Sequence, residues 1–243
     1  MTFFLIFCWG LLGGGQSLEN VNQGVQEVYA QVIKDDGTVD YAALNKSPEL
    51  MSKLEAFAAF YSDFDPEGLP GEKAKIAAYA NAYNVFTLTG VMKAWPVSSV
   101  RKIHPLFGFF TRNKFKINGQ KLSLNDIEKK HLQPRDFRIH FIINCASVSC
   151  PVIQPEVLTP ENLEEVMNRA AKSFLANEAK NSFNRDTGIW QLSKIFDWYG
   201  GDWGGEEGVI EYIRKTLPEK ADWQPQKIKY HDYDWGLNGP IEP

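Results

Sequence analysis

Apolar residues recur at helical spacing from Leu18 to Val32, at Val21, Val25, Val28, Tyr29 and Val32, until Asp35-Asp36-Gly37 closes the segment. A second helical pattern starts at Pro48, runs through Leu50, Leu54, Phe57, Ala58 and Tyr61, and stops near Asp65-Pro66. The strongest helix, from about Glu72 to Ala94, is apolar on nearly every side and ends at Trp95-Pro96. A helix without a polar face belongs inside a domain. Residues 113–123 alternate around Asn118-Gly119, the clearest hairpin signal of the chain, and Ser123 caps a short helix carrying Asp126, Ile127, Glu128 and Leu132. Arg138 to Cys145 alternates as a strand would, with Arg138, His140, Ile142 and Asn144 on one face and Ile139, Phe141, Ile143 and Cys145 on the other. His140 and Cys145 are therefore expected to point apart. A small polar turn, Ala146 to Ser149, follows, and Pro151 ends regular pairing. Further on the pattern predicts a helix from about Thr159 to Asn177, a strand at Ile189–Leu192, a corner at Asp197–Asp202, a helix at Val209–Leu217 and an edge strand at Lys227–Tyr230. Helices first, then hairpins mixed with helices, make an α+β order with an antiparallel sheet.

Composition narrows the class. Hydrophobic residues at 44% and charged residues at 23% of 243 fit one folded domain with a substantial core, and 13% aromatics point to a core or cleft rich in rings. A net charge of −4 gives no reason to expect a nucleic-acid partner. Lys93, Arg101, Lys102, Arg112, Lys114 and Lys116 do form a positive stretch, readable as a solvated surface or as the rim of an anionic-substrate site. The apolar run near the N-terminus, followed by Gly-Gly-Gly-Gln-Ser, reads as a signal peptide over residues 1–17, leaving 18–243 as a single exported domain, periplasmic or secreted. Cys8 follows Phe7 rather than a small residue, and no other apolar segment reaches spanning length, so no stable membrane anchor is expected.

His140, Cys145 and Cys150 lie within eleven residues of a chain with four histidines and three cysteines. Cys150, in the irregular turn, is the expected nucleophile; Cys145 ends an apolar face. A thiol needs an imidazole or other cationic neighbour to ionise, and His140 is nearest. Competing readings are two buried cysteines beside a core histidine, or a Cys145–Cys150 disulfide. Zinc is disfavoured, since the Cys-x2-Cys spacing is missing and only His104 or His131 remain as further ligands; no metal or cofactor is expected. Asn81 and Asn84 sit three apart on the apolar helix, where a buried amide must find a partner: a reacting oxyanion, the imidazole, or backbone carbonyls. Ser193 and Lys194 are adjacent residues, which on a strand face apart, and this disfavours a Ser-Lys pair. The rings of the last third, Trp190 to Trp235, make either a core or a groove for a peptide or glycan.

The segment from Arg138 to Pro151, with Tyr79-Ala-Asn-Ala-Tyr-Asn84, Leu124-Asn-Asp-Ile-Glu128, Leu192-Ser-Lys-Ile-Phe-Asp-Trp-Tyr199 and Tyr233-Asp-Trp-Gly-Leu-Asn238, resembles the DUF547 family over about Gly37 to Asn238. The resemblance implies a papain-like or transglutaminase-like core, with the central buried helix packed on an antiparallel sheet beside the histidine. It also implies that His140, Glu128 and the Ser-Cys-Pro at Cys150 act together. Glu128 is then the first choice to orient His140, with Asp126 next; a salt bridge of Glu128 with Arg138 is the structural alternative. One departure stands out: papain-like enzymes carry the cysteine at the start of the central helix, and this helix has none.

Together these readings predict a thiol-dependent hydrolase or acyltransferase acting on amide or related acyl bonds. Cys150 attacks, His140 shuttles the proton, Glu128 orients His140, and Asn84 assists the oxyanion. The alternative is a non-catalytic module binding a peptide or small molecule, cell-wall fragments included, on the same scaffold.

Overall fold

The computed structural model of the protein describes residues 16–112 and 114–241. The expected signal peptide lies, but for its last two residues, outside the described residues. The chain is mixed α and β, dominated by helix. Its first half is helical: α1 (Leu18–Val32), α2 (Tyr41–Lys46), α3 (Pro48–Asp63), α4 (Glu72–Met92) and a short α5 (Gly108–Thr111). Its second half interleaves β1 (Phe115–Ile117), β2 (Gln120–Leu122), α6 (Leu124–Asp126), α7 (Leu163–Ala176), β3 (Ser182–Asn184), β4 (Ile189–Leu192), α8 (Lys194–Tyr199), α9 (Glu206–Thr216) and β5 (Lys227–Tyr230).

Local chemistry sets these limits. Ser17, Asp40 and Ser47 cap α1, α2 and α3 by accepting backbone N–H groups, and Pro48 opens α3 where its missing N–H costs nothing. In α6 the Ser123 hydroxyl accepts the Asp126 N–H while the Asp126 carboxylate accepts the Ser123 N–H, a reciprocal box that fixes the start of the segment bearing Glu128. Asn118 and Gly119, at φ 46° and 73°, make the two left-handed positions of the tight β1–β2 turn.

The all-round apolar helix is where its pattern puts it: every residue of α4 from Ile76 to Met92 is buried. Its neighbours differ from expectation. α4 packs chiefly on α3 and on the helical turn 127–132, and Phe115 of β1 stacks on Phe86 at 4.5 Å. Phe57 and Tyr61 of α3 close the same cluster, and the Tyr61 hydroxyl donates to the Ala78 carbonyl at 3.0 Å. Each such fully buried ring or aliphatic side chain contributes about 1.5–3 kcal/mol.

The sheets are small. β1 and β2 form an isolated antiparallel hairpin, and the other sheet has the order β3-β4-β5 with β3–β4 antiparallel and β4–β5 parallel. β5 is an edge strand as read, but the sheet is mixed, because the α8–α9 excursion returns the chain running the same way as β4.

Residues 138–145 are not a strand. Phe137–Phe141 is a 3-10 helix whose first turn is fixed by Asp136 accepting the Arg138 N–H at 2.8 Å, and the residues after it run irregularly. Ile139, Phe141, Ile142 and Ile143 are all buried, so the apolar positions surround the backbone rather than lie on one face. The helical turn also cancels the expected divergence of His140 and Cys145, whose side chains line one pocket.

Candidate active site

The loop from Ile142 to Pro151 is held by asparagines. Asn84 of α4 donates from Nδ2 to the Ile142 carbonyl at 2.9 Å and accepts the Asn144 N–H on Oδ1 at 2.8 Å. Asn144 in turn donates to the Pro151 carbonyl at 2.7 Å and accepts the Ala146 N–H at 2.8 Å and the Asn238 amide at 3.2 Å. Asn238 accepts from the Tyr41 hydroxyl at 2.7 Å. The C-terminal segment completes the clamp, since the Val148 and Ser149 N–H groups donate to the Gly236 and Asp234 carbonyls. Ala146, at φ 59°, is the left-handed residue that bends the loop between these ties. Asn81 makes the same reciprocal pair further along, with both backbone groups of Leu158. Both helix amides are thus engaged as backbone partners, and the observed contact of Asn84 is with the loop that carries the thiols.

Within that loop the burial of the two thiols is the reverse of that expected. Cys150 is buried, whereas Cys145 is half-buried and opens on the pocket. The turn is tight enough that the Cys150 sulfur folds inward and accepts the Cys145 N–H at 3.0 Å. Burial pushes the Cys150 thiol well up, and the neighbouring Cys145 sulfur pushes it further, so it stays protonated. Burial acts to raise Cys145 as well, but the polar groups of Cys150, Ser147 and Tyr233 around its sulfur outweigh it and bring the thiol down to about 7. The Tyr233 hydroxyl stands 3.2 Å from the Cys145 sulfur. Burial and the adjacent sulfurs hold that phenol well above its usual range, so it remains a donor. Both cysteines are free thiols.

His140 is buried, with its ring against Tyr199 at 4.1 Å and Trp203 at 5.7 Å. Nε2 meets Asp202 Oδ2 at 2.8 Å, and Gln133 clamps that carboxylate by donating to both oxygens at 2.7 Å. Burial lowers the imidazole's pKa, partly opposed by Asp202 and Glu128, so the ring is neutral at pH 7. With Nε2–H donating to Asp202, Nδ1 carries the lone pair. Among the described residues Nδ1 has no hydrogen-bond partner, yet it is not among the polar atoms sealed from solvent.

Asp202 therefore occupies the place expected for Glu128. Glu128 sits on a π-turn, Ile127–Leu132, closed by the Gln133 N–H donating to the Glu128 carbonyl at 2.8 Å. Such bulges frequently mark functional sites. Its carboxylate lines the pocket but does not bond His140; Oε1 is buried without a hydrogen bond among the described residues, and its ion pair is with Lys129 at 3.7 Å. Arg138 is not its partner either, being held by Asp136 and Glu164. Burial first, then the Glu128 charge, pushes the phenols of Tyr83 and Tyr199 far up. Asp126 is spent on the α6 cap and on Lys114 and Lys130. Ser193 caps α8 and Lys194 pairs with Asp197 at 2.6 Å, so the two share no site.

The pocket that gathers Cys145, Cys150, His140 and Glu128 has a volume of about 210 Å³, walled by Tyr83, Phe110, Tyr199 and Tyr233 with Trp198 and Trp235 at its mouth. Among the described residues no three His, Cys, Asp or Glu side chains converge as a metal site, and no helix is long and apolar enough to cross a membrane. Sequence reasoning missed Asp202, Asn144 and Tyr233. Asp202 lies sixty-two positions from His140, and its one local signal was an acid in a Gly-Gly-Asp-Trp corner.

Residues 66–175, which include the helix amides, Glu128 and the His140–Cys150 segment, match the model of the family described as "Protein of unknown function, DUF547". No curated protein and no solved structure matches the chain.

Proposed function

We propose that the protein is a thiol-dependent hydrolase or acyltransferase acting on amide or related acyl bonds, with Cys145 as nucleophile. One observation carries this reading: an ionisable thiol, lowered to about 7 by surrounding donors, opens on the same pocket as a histidine whose far nitrogen is fixed by a carboxylate. Nucleophile, base and orienting group are the parts acyl transfer requires.

Cys145 transfers its proton to His140 Nδ1, and its sulfur attacks the substrate carbonyl carbon. As the S–C bond forms, the carbonyl electron pair moves to oxygen. Collapse of that intermediate breaks the bond to the leaving amine, alcohol or thiol, which takes the proton from His140. Water or an acceptor then adds to the thioester, loses its proton to His140, and expels Cys145. Asp202 stabilises the imidazolium at each stage without leaving its place. Cys150 and Tyr233 stabilise the sulfur as an anion. On this reading the core is papain- or transglutaminase-like, with the nucleophile moved off the central helix onto the loop that Asn84 ties to it. The N-terminal run, read as a signal peptide, puts the activity in the periplasm or outside the cell, on peptide or small-molecule acyl compounds such as cell-wall fragments.

The test is covalent trapping. Wild type incubated with activated acyl esters and thioesters is expected to carry an acyl mass on the peptide containing Cys145, absent from Cys145→Ser and retained in Cys150→Ala. Ligand retention in the pocket with no adduct and no product across amide, ester and thioester compounds would leave a binding module instead.

A further inference from the structure

The mouth of the pocket bears a feature that the chemistry inside does not use. The loop before α5 presents Leu106 at 85% exposure and Phe107 at 42%, both in the left-handed region at φ 53° and 57°. That conformation disfavours any residue with a Cβ, and a leucine and a phenylalanine held there are set outward rather than left over. The loop is anchored, not loose. Phe109 is fully buried against Gly90, where a Cβ would come within 2.8 Å of the Phe109 ring, and Gly108 turns so tightly that a Cβ would meet His104 at 2.8 Å. Trp235 joins Phe107 at 5.0 Å, and Trp198, 45% exposed, stacks on Trp235 at 5.7 Å. These residues make one apolar rim, larger than isolated surface hydrophobes.

Cations collar this rim. Between Glu72 and Asp126 the chain has no Asp or Glu, although its net charge is −4. Arg101 lies over the Phe107 ring at 5.1 Å, and Lys102 and Arg112 are exposed on either side of the tip. Among the described residues none of the three has a carboxylate partner. Of the acids nearest in sequence to the rim rings, Asp197 is paired with Lys194 at 2.6 Å, and the exposed Asp232 and Asp234 flank Tyr233 on the C-terminal segment, outnumbered by the three cations at the tip.

We propose that this rim docks reversibly on a lipid bilayer carrying anionic headgroups. Leu106 and Phe107 enter the acyl boundary, Trp198 and Trp235 lie at headgroup level, and Arg101, Lys102 and Arg112 meet the lipid charge. Projecting apolar side chains inside a ring of unpaired cations match that layered chemistry: charge outside, hydrocarbon beneath. Docking of this kind needs no spanning helix. It brings the pocket mouth to the membrane surface, and it stands whether or not Cys145 is a nucleophile.

Flotation of the full chain with vesicles tests it, using phosphatidylcholine alone and phosphatidylcholine mixed with phosphatidylglycerol in equal parts. Wild type is expected to partition onto the mixed vesicles and to be released by salt. Leu106→Ser with Phe107→Ser is expected to lose about tenfold or more in partition, and Arg101→Gln, Lys102→Gln and Arg112→Gln about fivefold per charge. Thermal unfolding unchanged from wild type establishes that these surface variants are folded. The N-terminal apolar run is common to all of them, so the difference between variants reads the loop alone. Equal partition of wild type and the Leu106/Phe107 variant, or no partition of wild type onto either vesicle, would overturn the proposal. Equal binding to both lipid compositions would overturn its anionic character.

Discussion

Replacing Asn84 by leucine cuts the tie between α4 and the thiol loop at a single point. The side chain is buried and makes two hydrogen bonds, to the Ile142 carbonyl at 2.9 Å and from the Asn144 N–H at 2.8 Å. Leucine is of similar size but leaves both backbone groups buried and unpaired, at about 1–3 kcal/mol each. Burial of the added apolar surface offsets about 1–2 kcal/mol of that. The net loss is about 3 kcal/mol, which for a chain of this length lowers the melting temperature by roughly 6–12 °C. Asn81→Leu is the matched control, because it severs the same two-bond geometry to Leu158, away from the thiols. Both variants are expected to melt early in calorimetry. Only Asn84→Leu is also expected to return Cys145 toward the ionisation of an ordinary thiol, since the loop that gathers its donors loses its anchor. An Asn84→Leu protein that melts with wild type and keeps its thiol profile would refute this use of the helix amide.

Two further outcomes follow from the charges. Asp202→Asn keeps the shape of the contact with His140 but removes the group that stabilises the imidazolium, so any acyl transfer is expected to fall by orders of magnitude with little change in melting temperature; unchanged turnover would remove Asp202 from the mechanism. Burial raises the phenols of Tyr29, Tyr41, Tyr61, Tyr83, Tyr199 and Tyr233 above their usual value of about 10. A raised folded-state pKa contributes stability that is complete below the unfolded value and is lost as pH rises past it. Stability is therefore expected to fall steeply above pH ~10, with tyrosinate absorbance appearing together with unfolding rather than before it; gradual ionisation in the folded state would contradict the burial.

How much of this was legible in the sequence depended on the range of the interactions. α1, α3 and α4, the hairpin at Asn118-Gly119 and the Ser123 cap are set by neighbours three or four residues away, and they stand where the pattern puts them. Asn84 could be flagged because a polar amide on an apolar helix needs a partner, but the partner's identity is a contact across about sixty positions. Arg138 to Cys145 misled because alternation over eight residues fits a strand only if a neighbouring strand takes its backbone groups. Here Asp136 takes one and Asn84 two, and the segment turns instead. That misreading carried the thiols with it: a strand exit exposes Cys150, whereas the turn folds Cys150 under Cys145. Glu128 was placed in the site by its motif, while the carboxylate that meets His140 comes from a corner whose position only the fold supplies.

The most direct measurement is site-resolved alkylation, in which the folded protein is pulsed with iodoacetamide across pH and the Cys145 and Cys150 peptides are quantified by mass. Cys145 is expected to label with a midpoint of about 7, where an ordinary thiol near 8.5 is only about 3% ionised. Cys150 is expected to label only on unfolding. A Cys145 midpoint at the ordinary thiol value, or Cys150 labelling first in the folded protein, would contradict Cys145 as the activated nucleophile.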